Sequence, residues 1–173
     1  MDAGGSTRPQ LTIIEQGIAG PTTAGPAGGR GMTDGRQPDA LAVLDRLVRA
    51  QNGHDVDAML VCFDPGYRSE QPIHPARAFT GSAQVRTNWS ALFAGIRDFR
   101  SELLRTAVDG DTVWAESRWS GTKADGSPFE EMVVMILGIS DGRITWARFY
   151  ADEVERNDAD IDETVRQMVG GGR

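Results

Sequence analysis

Four apolar runs between residues 99 and 151 constrain this chain more than any other feature: "FRSELLRTAV", "TVWAESRWSGT", "FEEMVVMILGI" and "RITWARFYA". Between them stand "DGD", "KADGSP" and "SDG", whose Asp-Gly pairs supply the positive φ that a tight bend needs. Runs rich in branched and aromatic residues, closed by such turns, predict four antiparallel strands joined as a meander. Successive side chains on a strand point to opposite faces. In the last run Ile144, Trp146, Arg148, Tyr150 and Asp152 therefore share one face, and Thr145, Ala147, Phe149 and Ala151 the other.

Upstream the period changes from two to that of a helix. Leu41, Leu44, Leu47 and Val48 recur at helical spacing, with Asp39 in the first turn, where an acid suits the helix dipole. "NGH" ends that helix. Asp55 is placed to cap a second, with Val56, Met59, Leu60 and Phe63 on one face and Pro65-Gly66 as its stop. Pro72 and Pro75 exclude a helix from the extended "YRSEQPIHPARAFTG". Ser82 is placed as the cap of a third helix, whose apolar face is Val85, Trp89, Leu92, Phe93 and Ile96. Three helices before a curved antiparallel sheet make an α+β domain over residues 39–155.

The two ends differ from this domain. Residues 1–38 hold nine Gly, four Pro and no aromatic residue. Such a segment has too little apolar surface to offset its ordering entropy, so a disordered arm is expected, with "LTII" its one apolar knot and Met32 a second plausible start. Between 152 and 163, seven acids against Arg156 hold −6 of the net charge of −7. Residues 156–173 are expected to form a solvated acidic helix or tail. No basic stripe supports nucleic-acid binding. No apolar run approaches the ~20 residues of a membrane span, and the start lacks the pattern of a signal peptide. One cysteine, Cys62, precludes an internal disulfide and reads as inert core, and two histidines argue against a metal site. No cofactor is expected, and a reducing cytoplasm is the default compartment.

The order of elements, with "NGHDVDAMLVCFDPGYRSEQP", "FTGSAQVRTNW" and the closing "DGRITWARFYAD", resembles the nuclear-transport-factor-2-like superfamily, in particular its SnoaL-like and ketosteroid-isomerase-like branch. That resemblance implies a cone, with three N-terminal helices against a highly curved antiparallel sheet and a pocket between them. It also implies a homodimer formed through the outer sheet face. The fold hosts isomerases, cyclases, dehydratases, epoxide hydrolases and non-catalytic binding modules, so the pocket residues must decide function.

Matching the family's motifs residue by residue, the resemblance would put the epoxide hydrolases' Arg at Ser117 and their two Asp at Trp119 and Phe149. None of these supplies an acid or a base. The isomerases' carboxylate before Pro falls on Gln71, and their two oxyanion donors fall near Leu47 and Met135. The same matching implies that Val113, Ala115, Ser117, Trp119, Gly121, Glu131, Val133, Met135, Leu137, Ala147, Phe149 and Ala151 look inward, with Ser69 and Gln71 joining from the extended stretch. The pocket is then mainly apolar with a few polar groups, as small-molecule sites tend to be.

Glu131 is the one acid placed inward. Enclosed by Trp119, Val133 and Phe149, it suits acid–base work; at a solvated mouth it would do nothing special. His74, between two prolines on the rim, is the second candidate acid–base group. Gln71 and Ser69 are candidate orienting groups, Tyr67 a further one, and Ser117, Trp119, Met135 and Phe149 candidate pocket wall. The expected function is binding of a hydrophobic small molecule, by an isomerase, cyclase or hydrolase with its own residue set or by a non-catalytic ligand-binding or dimerisation module. A regulatory interaction domain using the acidic C-terminus is a third reading.

Overall fold

A computed structural model describes residues 12–14, 36–156 and 160–170 of the chain. The elements are β1 (Thr12–Ile14), α1 (Arg36–Asn52), α2 (Val56–Val61), β2 (Phe63–Glu70), a 3-10 turn (Pro75–Arg77), β3 (Phe79–Thr80), α3 (Ser82–Gly95), β4 (Arg100–Asp109), β5 (Thr112–Thr122), β6 (Pro128–Ser140), β7 (Arg143–Glu153) and α4 (Ile161–Gly170). One sheet runs in the order β1-β4-β5-β6-β7-β2-β3. The four-strand meander is present, with tight turns at positive-φ residues such as Gly110, Gly126 and Gly142.

The sheet is mixed rather than wholly antiparallel, because β2 lies parallel to β7. No hairpin joins the two; helix α3 and the whole meander intervene, so no tight turn dictates β2's direction. Register shifts between Leu103 and Arg105 on β4, and between Gly138 and Ile139 on β6, interrupt the ladders. Such bulges bend the strand and sharpen its twist. At the second shift the Trp146 indole lies over Gly138, where an added Cβ would come 1.9 Å from its Nε1. Gly138→Ala must therefore displace the ring, at a cost of about 1–3 kcal/mol. A thermal melt checks this; an unchanged Tm would show that the indole moves freely.

Several helix details differ from the sequence expectation. The buried face of α1 is Ala40, Val43, Leu44, Leu47 and Ala50 with Gln51, while Leu41 and Val48 sit at its margin. Small residues let this face approach the sheet, which a reading by large apolar residues overlooks. Asp55 caps α2 as expected, accepting the Ala58 N–H at 2.9 Å. That helix stops at Val61, before Pro65-Gly66, which lies inside β2. The Ile144 N–H donates to the Cys62 carbonyl at 2.8 Å and draws the chain into the sheet there. Gly81, at φ +95, rather than Ser82, is the entry residue of α3. Its N–H donates to the Tyr67 carbonyl at 2.7 Å, fastening the helix start to β2.

Most of the expected disordered arm lies outside the described residues. Within it, Thr12–Ile14 pair antiparallel with β4, and α1 begins at Arg36, ahead of Asp39. The acidic C-terminal stretch contains α4, which also exposes Ile161, Val165, Met168 and Val169. Cys62 is buried and unpaired, and burial pushes its thiol pKa up.

Candidate functional site

Inward residues of the meander alternate with outward ones as the two-residue period requires. Val113, Ala115, Ser117 and Trp119 on β5, Val133, Met135 and Leu137 on β6, and Ala147 on β7 are all buried. Between this inner face and α3 lies a cavity of about 290 Å³. Its wall takes Phe63, Tyr67 and Ser69 from β2, Gln71, Arg77 and Phe79 from the segment after it, and Val85, Asn88, Trp89 and Leu92 from α3. The meander adds Trp119, Glu131, Phe149 and Ala151.

An aromatic cluster holds α3 against the sheet. Trp89 packs edge-on to Trp119 at 5.3 Å, and both pack on Phe99, at 5.6 and 5.8 Å. His54 stacks on Phe93 at 4.7 Å, and its Nε2 donates to the Phe99 carbonyl at 3.0 Å. These rings fix the spacing between helix and sheet, and with it the width of the cavity.

The polar groups of the wall lie at two levels. Tyr67 and Ser69 are buried at the floor, where Ser69 pairs with Ala147. Glu131 and Gln71 are half-buried, and Arg77 is exposed at the mouth. Glu131 pairs with Glu153, six residues along β7 from Ala147, which is at most about 20 Å of strand. Tyr67 packs edge-on against Phe63 at 4.7 Å and Phe79 at 6.0 Å. Burial pushes its phenol well above the ordinary range, with Ser69 pulling the other way, so it stays a neutral O–H donor.

Glu131 faces Trp119 directly across the β5–β6 ladder. Its carboxyl is raised above the ordinary glutamate value, first by desolvation, then by the nearby charges of Glu153 and Asp152. Lys123 and Arg77 oppose the shift without cancelling it. In the unfolded chain Glu131 returns to the ordinary value, so the folded state holds the proton more tightly. Its ionisation therefore destabilises the fold as pH rises from the unfolded value through the folded one. Glu131→Gln lacks that loss: it should melt higher than the parent at pH 7, with the gap closing below about pH 4. A gap that instead widened toward low pH would contradict the raised value.

Of the residues singled out by sequence, Glu131, Gln71, Ser69, Tyr67, Trp119 and Phe149 meet in this wall. Ser117 and Met135 do not reach it. Both point inward, but are wholly buried in packed core beside the cavity. His74 does not line it either. It stands at the entry of the 3-10 turn, and that turn carries Arg77 to the wall instead. Arg77, Asn88, Phe63 and Phe79 are wall residues that sequence reasoning missed. Val85, Trp89 and Leu92 were legible as an apolar face, whose spacing does not distinguish cavity wall from filled core.

The family model of the SnoaL-like domain matches residues 44–147, more than half of the chain. No curated protein sequence matches it. Solved structures share the fold. One, provisionally assigned as a SnoaL-like polyketide cyclase from Jannaschia sp. CCS1, has 21% identity and a TM-score of 0.60, covering 73% of this chain and 92% of its own. An LEH-like epoxide hydrolase from M. tuberculosis has 19% identity and a TM-score of 0.58, covering 66% and 84%. A SnoaL-like protein of unknown function from Burkholderia thailandensis has 23% identity and a TM-score of 0.56, covering 67% and 96%.

Proposed function

The chain belongs to the SnoaL-like domain family, and on that premise we propose that its cavity binds a hydrophobic small molecule and that Glu131 transfers a proton there. The observation that carries this is a carboxyl, the one acid among the described residues of a mostly apolar wall, held above its ordinary pKa by desolvation. Desolvation that raises a carboxyl's pKa makes it a stronger base, and so better suited to take up a proton and pass it on. Gln71 and Asn88 supply amides that orient a carbonyl or hydroxyl, and the neutral Tyr67 and Ser69 hydroxyls bind a polar group at the floor. Isomerisation, cyclisation and hydrolysis all contain such a proton transfer. Polyketide cyclases and epoxide hydrolases of the same fold support that range of chemistry. The unit concerned is residues 39–155, flanked by the N-terminal arm and the C-terminal acidic segment.

A second reading is a non-catalytic binding or dimerisation module. Ser117, Trp119 and Phe149, standing where the family's epoxide hydrolases carry Arg and two Asp, favour it. Ligand-dependent melting and turnover across steroids, terpenoids and aromatic polyketides separate the two. Binding with turnover supports the enzyme and binding without turnover the module; a failure to bind any of them contradicts both.

The outer sheet face supports a homodimer. Trp114 and Val134 are exposed there, and the strand pairing sets them beside Ile136 and Tyr150. Val134→Lys should convert a dimer to a monomer in light scattering at micromolar concentration; a parent that is already monomeric contradicts the assignment. Among the described residues no helix is long and apolar enough to cross a membrane. We propose a cytoplasmic location, the default for a chain with a single cysteine.

A further inference from the structure

Six side chains of the cavity wall are aromatic: Phe63, Tyr67, Phe79, Trp89, Trp119 and Phe149. The whole chain has four Trp, two Tyr and six Phe, so half of its aromatic residues meet in one small cavity. Ring faces are electron-rich and attract cations, most strongly when water is excluded.

The charge around Glu131 points the same way. Asp152 and Glu153 on β7 act on it as negative neighbours; Arg77 of the 3-10 turn and Lys123 beyond β5 act as positive ones. Lys123 is already engaged, its Nζ 2.6 Å from Glu153. The neighbouring acids Glu130 and Glu70 also have partners: Glu130 takes Arg118 and Arg156, and Glu70 takes Arg148 at 2.8 Å. Glu131 is the acid that faces the cavity, and among the described residues no cation lies within ion-pair distance of it. A half-buried carboxylate without a counter-ion is costly, and a ligand that brings one removes the cost.

We infer that the ligand is a hydrophobic amine, whose alkylammonium group sits against Glu131 and the Trp119 ring across the ladder from it while its apolar body fills the rest of the aromatic-lined cavity. The inference rests on the reading of the cavity as a small-molecule site and not on turnover. Arg77 is the like-charged neighbour of the bound cation, so its removal favours binding.

Titration calorimetry on the full chain tests this with benzyltrimethylammonium, whose charge is fixed, and its uncharged isostere neopentylbenzene. Glu131→Gln should weaken the cation about tenfold, while neopentylbenzene changes by less than about twofold. Arg77→Gln should tighten the cation and leave the isostere unmoved. Affinity for the cation should rise with pH as Glu131 ionises, and affinity for the isostere should not. Equal losses for both probes in Glu131→Gln, or tighter binding of phenylacetate than of the cation, overturn the inference while leaving the small-molecule site standing. If neither probe binds, the inference and the site fail together.

Discussion

Glu131→Gln lowers kcat by about 100- to 10,000-fold on any substrate that the cavity turns over, the usual range for loss of a positioned acid–base group. The amide keeps the size, shape and hydrogen-bonding capacity of the acid but cannot carry the proton. For an uncharged substrate KM should change little, since the apolar wall that binds it is untouched; for a cationic one it should rise as well. The limb of the pH–rate profile that belongs to Glu131 should vanish with it. The same variant is expected to be more stable than its parent at neutral pH, because an unpaired, desolvated carboxylate is removed. Lost turnover with gained stability is a pair of effects that a structural role does not produce. Unchanged kcat would remove Glu131 from the chemistry.

Phe99→Ala has the largest expected effect on stability. Phe99 is fully buried and meets five rings, those of His54, Trp89, Phe93, Trp119 and Phe129, with centroids between 5.6 and 6.5 Å away. It lies in the short link between α3 and β4, so it joins the helix side of the cavity to the sheet side. Truncation leaves a hole that the surrounding rings cannot all close, at a cost of about 3–5 kcal/mol. For a chain of this length the Tm should fall by about 10 °C. Trp89 and Trp119 rest on Phe99, so ligand binding should weaken as well, though Phe99 is not in the wall. A drop of under about 3 °C would show that the cluster repacks and is not what sets the cavity's width.

The meander was legible because its signals are local. Asp-Gly turns marked where strands end, and alternation sorted residues into two faces; only the family resemblance said which face looks inward, and Trp119, Glu131 and Phe149 of that face line the cavity. Period two says which face a residue is on, but not how deep. Ser117 and Met135 share parity with wall residues yet sit where the core has closed. The parallel pairing of β2 with β7 was not legible, since it joins segments some eighty residues apart and a register shift separates Phe63 from Arg68. His74 attracted notice as a titratable side chain, but the backbone of the 3-10 turn selects Arg77 for the cavity. Asn88 lies outside the apolar face read for α3 and is exposed; only the tertiary position of the helix brings it to the cavity wall.

A titration of Glu131 itself bears on all of this. Carboxyl carbon NMR on the free protein, assigned through the signal missing from Glu131→Gln, gives its midpoint. Both the acid–base role and the unpaired negative site place that midpoint above the ordinary glutamate value of about 4.3. It should move higher in Arg77→Met, which removes an opposing cation, and fall when benzyltrimethylammonium binds. A midpoint at or below the ordinary value, unmoved by either change, would contradict both roles.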